Sequence, residues 1–187
     1  MKLISTVALV LTLGVTLVLT LGAGRAQTEQ QPLKMTFSGS TMSTQNILQA
    51  GGSPTGEATA AGDSSFGPFS IRDLDAIGAP LPPGSCGEPN SLGFPFVPGG
   101  GAVFRFQDGS LLTLKTTGGT LCLDLTTGIG MSTLNQVITS GTGRLKNASG
   151  SVVIHVTGIP VVLGAAGPIL VAVTGEGTGT ILLSKAE

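Results

Sequence analysis

The chain has 187 residues, with nine Lys and Arg against ten Asp and Glu and a formal net charge of −1. The charges are few and scattered, so there is no basic stripe to grip nucleic acid or an anionic membrane. One histidine, two cysteines and no Trp or Tyr rule out a tetrahedral zinc site built by this chain alone and an aromatic platform for single strands.

At the N-terminus, Met1-Lys2 precedes an uncharged run from Leu3 to Leu21, and Gly24-Arg25-Ala26 places small residues at −3 and −1 before Gln27. This is the layout of a secretory signal peptide. It predicts a leader over 1–26, a single mature domain over 27–187, and a secreted or periplasmic destination with no membrane contact once the leader is removed. The alternative is an uncleaved anchor, because about 20 apolar residues are enough to span a bilayer. In an exported chain the two cysteines, Cys86 and Cys122, are expected to pair. Such a bridge stabilises by about 4 kcal/mol on the chain-entropy model.

Short β-leaning runs bounded by glycine or proline follow throughout, and stretches with helical apolar spacing are hard to find. The early runs are Leu33–Phe37, Gly56–Ala60 and Phe69–Leu74. The middle ones are Ala102–Phe106, Leu111–Thr116 and Thr120–Leu125, and the late ones are Thr133–Thr139, Ser151–Thr157, Ile169–Thr174 and Thr178–Leu183. Eight to ten strands at this spacing form an antiparallel sandwich or barrel. Asp108-Gly109, between FRFQ and SLLTL, has the composition of a tight two-residue hairpin turn. Phe104 and Phe106 lie on one face of that hairpin and Val103 on the other. This predicts a sheet covered on both sides, or one lining a closed barrel with an apolar lumen.

Residues 78–101, GAPLPPGSCGEPNSLGFPFVPGGG, hold too many prolines for regular sheet and are too long for a passive turn. Phe94, Phe96 and Cys86 favour a loop packed on the body, read as a lid.

His155 alternates with Val152, Ile154 and Val156 on its strand, which places it on a mixed or solvent-facing surface. No G-x-S-x-G elbow offers it a nucleophile, and Gly62-Asp63-Ser64 lacks the downstream partners of a lipase signature. Asp73 and Asp75 do not follow the calcium-loop spacing. No metal or cofactor is therefore expected. A carboxylate pair for glycoside chemistry stays open, although no Trp or Tyr is present to stack a sugar. Gly175-Glu176-Gly177-Thr178-Gly179 leads into strand rather than helix, unlike a dinucleotide fingerprint, and reads as relief of crowding at a barrel bend. Glu57, Asp63, Arg72, Asp73, Arg105, Asp124 and Glu176 are the positions where orienting charges are sought.

In SGTGRLKNASG, residues 140–150, the glycines suggest either a phosphate cradle or a turn. A cradle works best ahead of a helix, and the sequel Ser151-Val152-Val153-Ile154 is strand. Gly141, Gly143 and Gly150 are accordingly read as a structural corner. Asn147-Ala148-Ser149 is a glycosylation sequon in that corner.

Gly141-Thr142-Gly143, Leu145, Ala148 and Gly150 resemble the corner of the dirigent and allene oxide cyclase-like barrel superfamily, with Leu145 where an aromatic is commoner. The match covers about 20 residues, and exported bacterial proteins share it. The resemblance implies a small secreted antiparallel barrel, commonly oligomeric, whose lumen shelters an apolar molecule. Dirigent proteins orient radical coupling, and the cyclases fold a reactive lipid epoxide by shape. No catalytic position carries over.

The leading expectation is thus an exported β-barrel that holds a small apolar ligand. Two others stand beside it: a cyclase- or dirigent-type enzyme, which predicts a strand-borne acid or His155 in the lumen with a shifted pKa, and a partner-binding module with a filled barrel.

Overall fold

The structure, a computed structural model, describes residues 28–43, 54–163 and 168–184. The expected leader lies outside these residues. The described chain forms eight antiparallel strands: β1 (Thr28–Ser43), β2 (Thr55–Ser64), β3 (Phe69–Ile77), β4 (Ser91–Phe106), β5 (Leu111–Asp124), β6 (Gly130–Gly141), β7 (Ser149–Leu163) and β8 (Ile169–Ser184). Each strand pairs with the next, and β1 pairs with β8 from Thr28↔Ser184 to Ser43↔Ile169, closing the barrel. Closure leaves no open sheet edge. The architecture implied by the corner resemblance is present in this strand pairing itself.

The ten expected runs merge into eight strands for a local reason. Leu111–Thr116 and Thr120–Leu125 belong to β5, which continues through Gly118 and Gly119 with a register shift between Thr116 and Gly118. The last two runs likewise form β8. In both cases glycine bends the strand without ending it.

Period-two alternation sets the two faces of the wall. On β4 and β5, Phe104, Phe106, Leu112 and Leu114 point inward and are buried, whereas Val103 and Arg105 are exposed. The hairpin therefore lines a closed lumen. Asp108 and Gly109 do form its turn, but the loop takes one residue more than a two-residue turn, closed by Phe106 N–H donating to the Ser110 carbonyl at 3.0 Å. Gly109 adopts φ +82°, which a side chain would resist.

One end of the barrel is plugged. Leu33, Met35, Phe69, Phe106, Leu112 and Ile181 pack together there, with the Phe69 ring 5.2 Å from Phe104 and 6.1 Å from Phe106. The β6–β7 corner caps this end with a short 3-10 turn, Gly143–Leu145, which drives Leu145 and Ala148 into the core. Gly143 sits at φ +58° and Gly150 at φ +138°. Arg144 pairs with Asp108 at 3.0 Å and lies over the Phe106 ring. The stretch is a corner, as its sequel predicted.

The proline-rich segment departs from the expectation of a lid. Residues 91–101 are not loop but the first part of β4. Proline is tolerated here because the register breaks between Pro95 and Gly101 on the β5 side and between Leu74 and Ala76 on the β3 side, so the irregular residues sit in a bulge. Residues 78–90 fold back over the outside of the wall. Gly78 N–H donates to the Pro95 carbonyl and Leu81 N–H to the Gly93 carbonyl, both at 2.8 Å. Cys86 is bonded to Cys122 on β5, Cα–Cα 5.8 Å. The segment is a strap on the exterior, and the described lining of the lumen includes none of residues 78–95.

Candidate functional site

Above the plugged end the lumen opens into a cavity of about 580 Å³, within the usual range for small-molecule sites. Phe37, Phe96, Phe104, Ile71, Leu134 and Ile154 make up much of its wall. The room exists because small residues face inward on neighbouring strands: Ala58 and Ala60 on β2, Ala102 on β4, and Gly130 and Gly158 near the mouth.

A compact polar group interrupts this apolar wall at mid-height. Alternation along β3 sends Phe69, Ile71, Asp73, Asp75 and Ile77 to the same side, and the last four line the cavity. Asp75 is 7 % exposed. Gln136 on β6, 2 % exposed, and the fully buried Thr116 on β5 complete the group. The Gln136 amide nitrogen donates to Thr116 Oγ1 at 3.1 Å. With both carboxyls ionised, no protein donor reaches Asp73 Oδ1, either oxygen of Asp75, or Gln136 Oε1.

Burial and the neighbouring Asp75 charge push the Asp73 carboxyl up to about 8, while the Gln136 side chain and the Leu74 backbone amide pull more weakly the other way. A proton on Asp73 would supply a donor within the pair, and burial beside a second carboxyl favours it. The β4 bulge shapes this spot. A Cβ on Gly100 would stand 2.1 Å from Asp75 Oδ1 and 2.6 Å from the Leu74 carbonyl, so only glycine lets the backbone lie against the carboxylate.

At the mouth, Asp124 is engaged differently. Its carboxylate accepts from Thr126 N–H at 2.7 Å and Thr127 Oγ1 at 2.9 Å. These bonds, the Thr126 backbone first, hold its pKa below the usual range.

No protein-family model matches the chain, and no curated protein matches it either. Among solved structures it is similar to a pterocarpan synthase dirigent protein, at 12 % identity over 86 % of this chain and 88 % of that one, with a TM-score of 0.44. A likeness at that level assigns no chemistry to this chain.

Of the seven positions where orienting charges were sought, only Asp73 enters the lumen and only Asp124 stands at its mouth. Glu57 and Arg72 form an ion pair on the outer wall, and Asp63, Arg105 and Glu176 are exposed. His155 is also outside, with Nδ1 3.1 Å from Thr133 Oγ1. The turn residues Asp108, Gly109, Gly141, Gly143 and Gly150 are all remote from the cavity lining. Sequence reading overlooked Asp75, Gln136 and Thr116 as lumen residues, although the alternation Phe69-Ile71-Asp73-Asp75-Ile77 carried the signal for the first.

Proposed function

We propose that this protein is an exported barrel that takes a small, mostly apolar molecule into its lumen and moves a proton on it through the Asp73–Asp75 pair. The observation that carries this reading is the pair of carboxyls, Asp73 and Asp75, that faces a mostly apolar cavity. A group whose pKa lies near 8 is matched to give and take protons near neutral pH. The shape of the wall, rather than a large set of polar contacts, would hold the molecule in place. This supports the cyclase- or dirigent-type alternative within the ligand-binding reading. It counts against a partner-binding module with a filled barrel. Export is supported by the Cys86–Cys122 bond, which persists in oxidising compartments. Among the described residues no helix is long and apolar enough to cross a membrane.

The test is direct. A neutral, solvent-sensitive dye such as Nile red should bind the wild type and lose binding when Ala58→Trp fills the lumen. Native mass spectrometry of protein purified from its own source should release a stoichiometric small molecule on denaturation. Dye binding that is indifferent to Ala58→Trp would overturn the lumen as the site.

A further inference from the structure

We propose that the lumen selects an apolar cation, specifically a primary ammonium on a hydrophobic body, over a neutral or anionic molecule of the same shape. This rests on the lumen being the binding site, and it names the class of molecule the site takes.

The first observation is the imbalance of the lining. Two carboxyls face the cavity, Asp73 and Asp75, with Asp124 at its mouth, and no Lys, Arg or His is among the described lining residues. The basic side chains are committed elsewhere: Arg72 to Glu57 and Arg144 to Asp108, with Arg105 and Lys115 exposed on the outer wall. A fatty acid would bring another negative charge beside Asp75 with nothing to neutralise it, and burying unpaired like charges is costly.

The second observation is independent of charge. Gln136 is almost wholly buried, its amide nitrogen is used by Thr116, and its Oε1 has no partner. Together with Asp73 Oδ1 and both oxygens of Asp75, the site presents acceptors that no protein donor other than a carboxyl proton meets. Their complement is a group with several N–H donors and no acceptor. An ammonium offers three such donors, and bonds from a charged donor to a carboxylate are the strong ones. An alcohol offers only one.

Phe37, Phe96 and Phe104 lie in the same wall, and aromatic rings attract cations.

The experiment titrates Nile red-loaded protein at pH 7 with octylamine, octanol and octanoate, three chains of equal length and different head-group charge. Octylammonium should displace the dye at a concentration lower than either of the others by about tenfold or more, the scale of a charge-assisted hydrogen bond. Asp75→Asn, nearly isosteric, should abolish that preference by weakening octylammonium, its fold checked by circular dichroism. Asp73→Asn should weaken the preference in the same direction. Octanol or octanoate displacing as well as the amine would overturn the charge selectivity and leave lumen binding intact. Retention of the preference in Asp75→Asn would overturn the assignment to this pair. Failure of the dye to bind at all would overturn the lumenal reading itself.

Discussion

At the scale of single residues, Asp73 links function to stability. Its carboxyl is raised to about 8 in the folded chain and returns to about 4 when unfolded. Between those values the folded form holds a proton that the unfolded form has released. The stabilisation from that proton is therefore complete below about pH 4, declines as pH rises, and is gone once pH passes the folded value. Thermal melts should show wild-type stability falling from pH 5 to pH 8.5, and Asp73→Asn should remove that part of the slope. A slope unchanged by the substitution would mean that Asp73 is not the titrating group.

Gly100 is the second residue with a sharp consequence. Because a Cβ there meets both Asp75 Oδ1 and the Leu74 carbonyl, Gly100→Ala must move the bulge or the carboxylate. We expect a loss of about 1–3 kcal/mol, the usual cost of overpacking. Denaturant unfolding measures it, and the Asp73 titration should shift along with it as the carboxyl pair separates.

Among the elements, the strap over residues 78–90 is the one whose role changed most between sequence and structure. Proline content and length suggested a lid, because such loops are usually functional. The hydrogen bonds to Pro95 and Gly93 and the bond to Cys122 instead hold it to the outside of β4 and β5. Replacing Cys86 and Cys122 by Ser should cost about 4 kcal/mol by releasing the closed loop. Stopped-flow entry of Nile red should nevertheless keep its wild-type rate, since the strap does not cover the mouth. A faster entry in the double variant would restore the lid. The β6–β7 corner behaved as read: Leu145 and Ala148 plug the barrel, and its glycines serve backbone geometry.

For the molecule as a whole, the pairing of β1 with β8 brings the two ends of the described chain together. Until these distant segments meet, β1 and β8 each keep one unpaired edge, so closure entropy is spent before the lumen forms. Refolding from denaturant with the disulfide intact should be slow for a domain of this size, in the range of about milliseconds to seconds typical of all-β topologies, measured by stopped-flow circular dichroism. Microsecond refolding would contradict a transition state that requires barrel closure.

What the sequence determined by itself was whatever depends on neighbours along the chain. β-branched runs between glycines specify strands, alternation specifies which side chains share a face, and a glycine corner followed by strand specifies a turn. Those local rules led to an antiparallel sandwich or barrel, which the corner resemblance narrowed to a barrel, to the Cys86–Cys122 pair, and to His155 on a mixed or solvent-facing surface. They also held the information that Asp73 and Asp75 share a face with Ile71. What they lacked was the identity of the neighbours across the barrel. Only closure decides that Ala58, Ala60 and Ala102 leave space where larger side chains would fill it, that Gln136 and Thr116 join the acids in one polar group, and that every described lysine and arginine falls outside the cavity. A carboxylate on a strand is ordinary until the fold removes its water and its counter-charge. Burial and charge balance arise between segments far apart in sequence, and so the site was decided by tertiary structure alone.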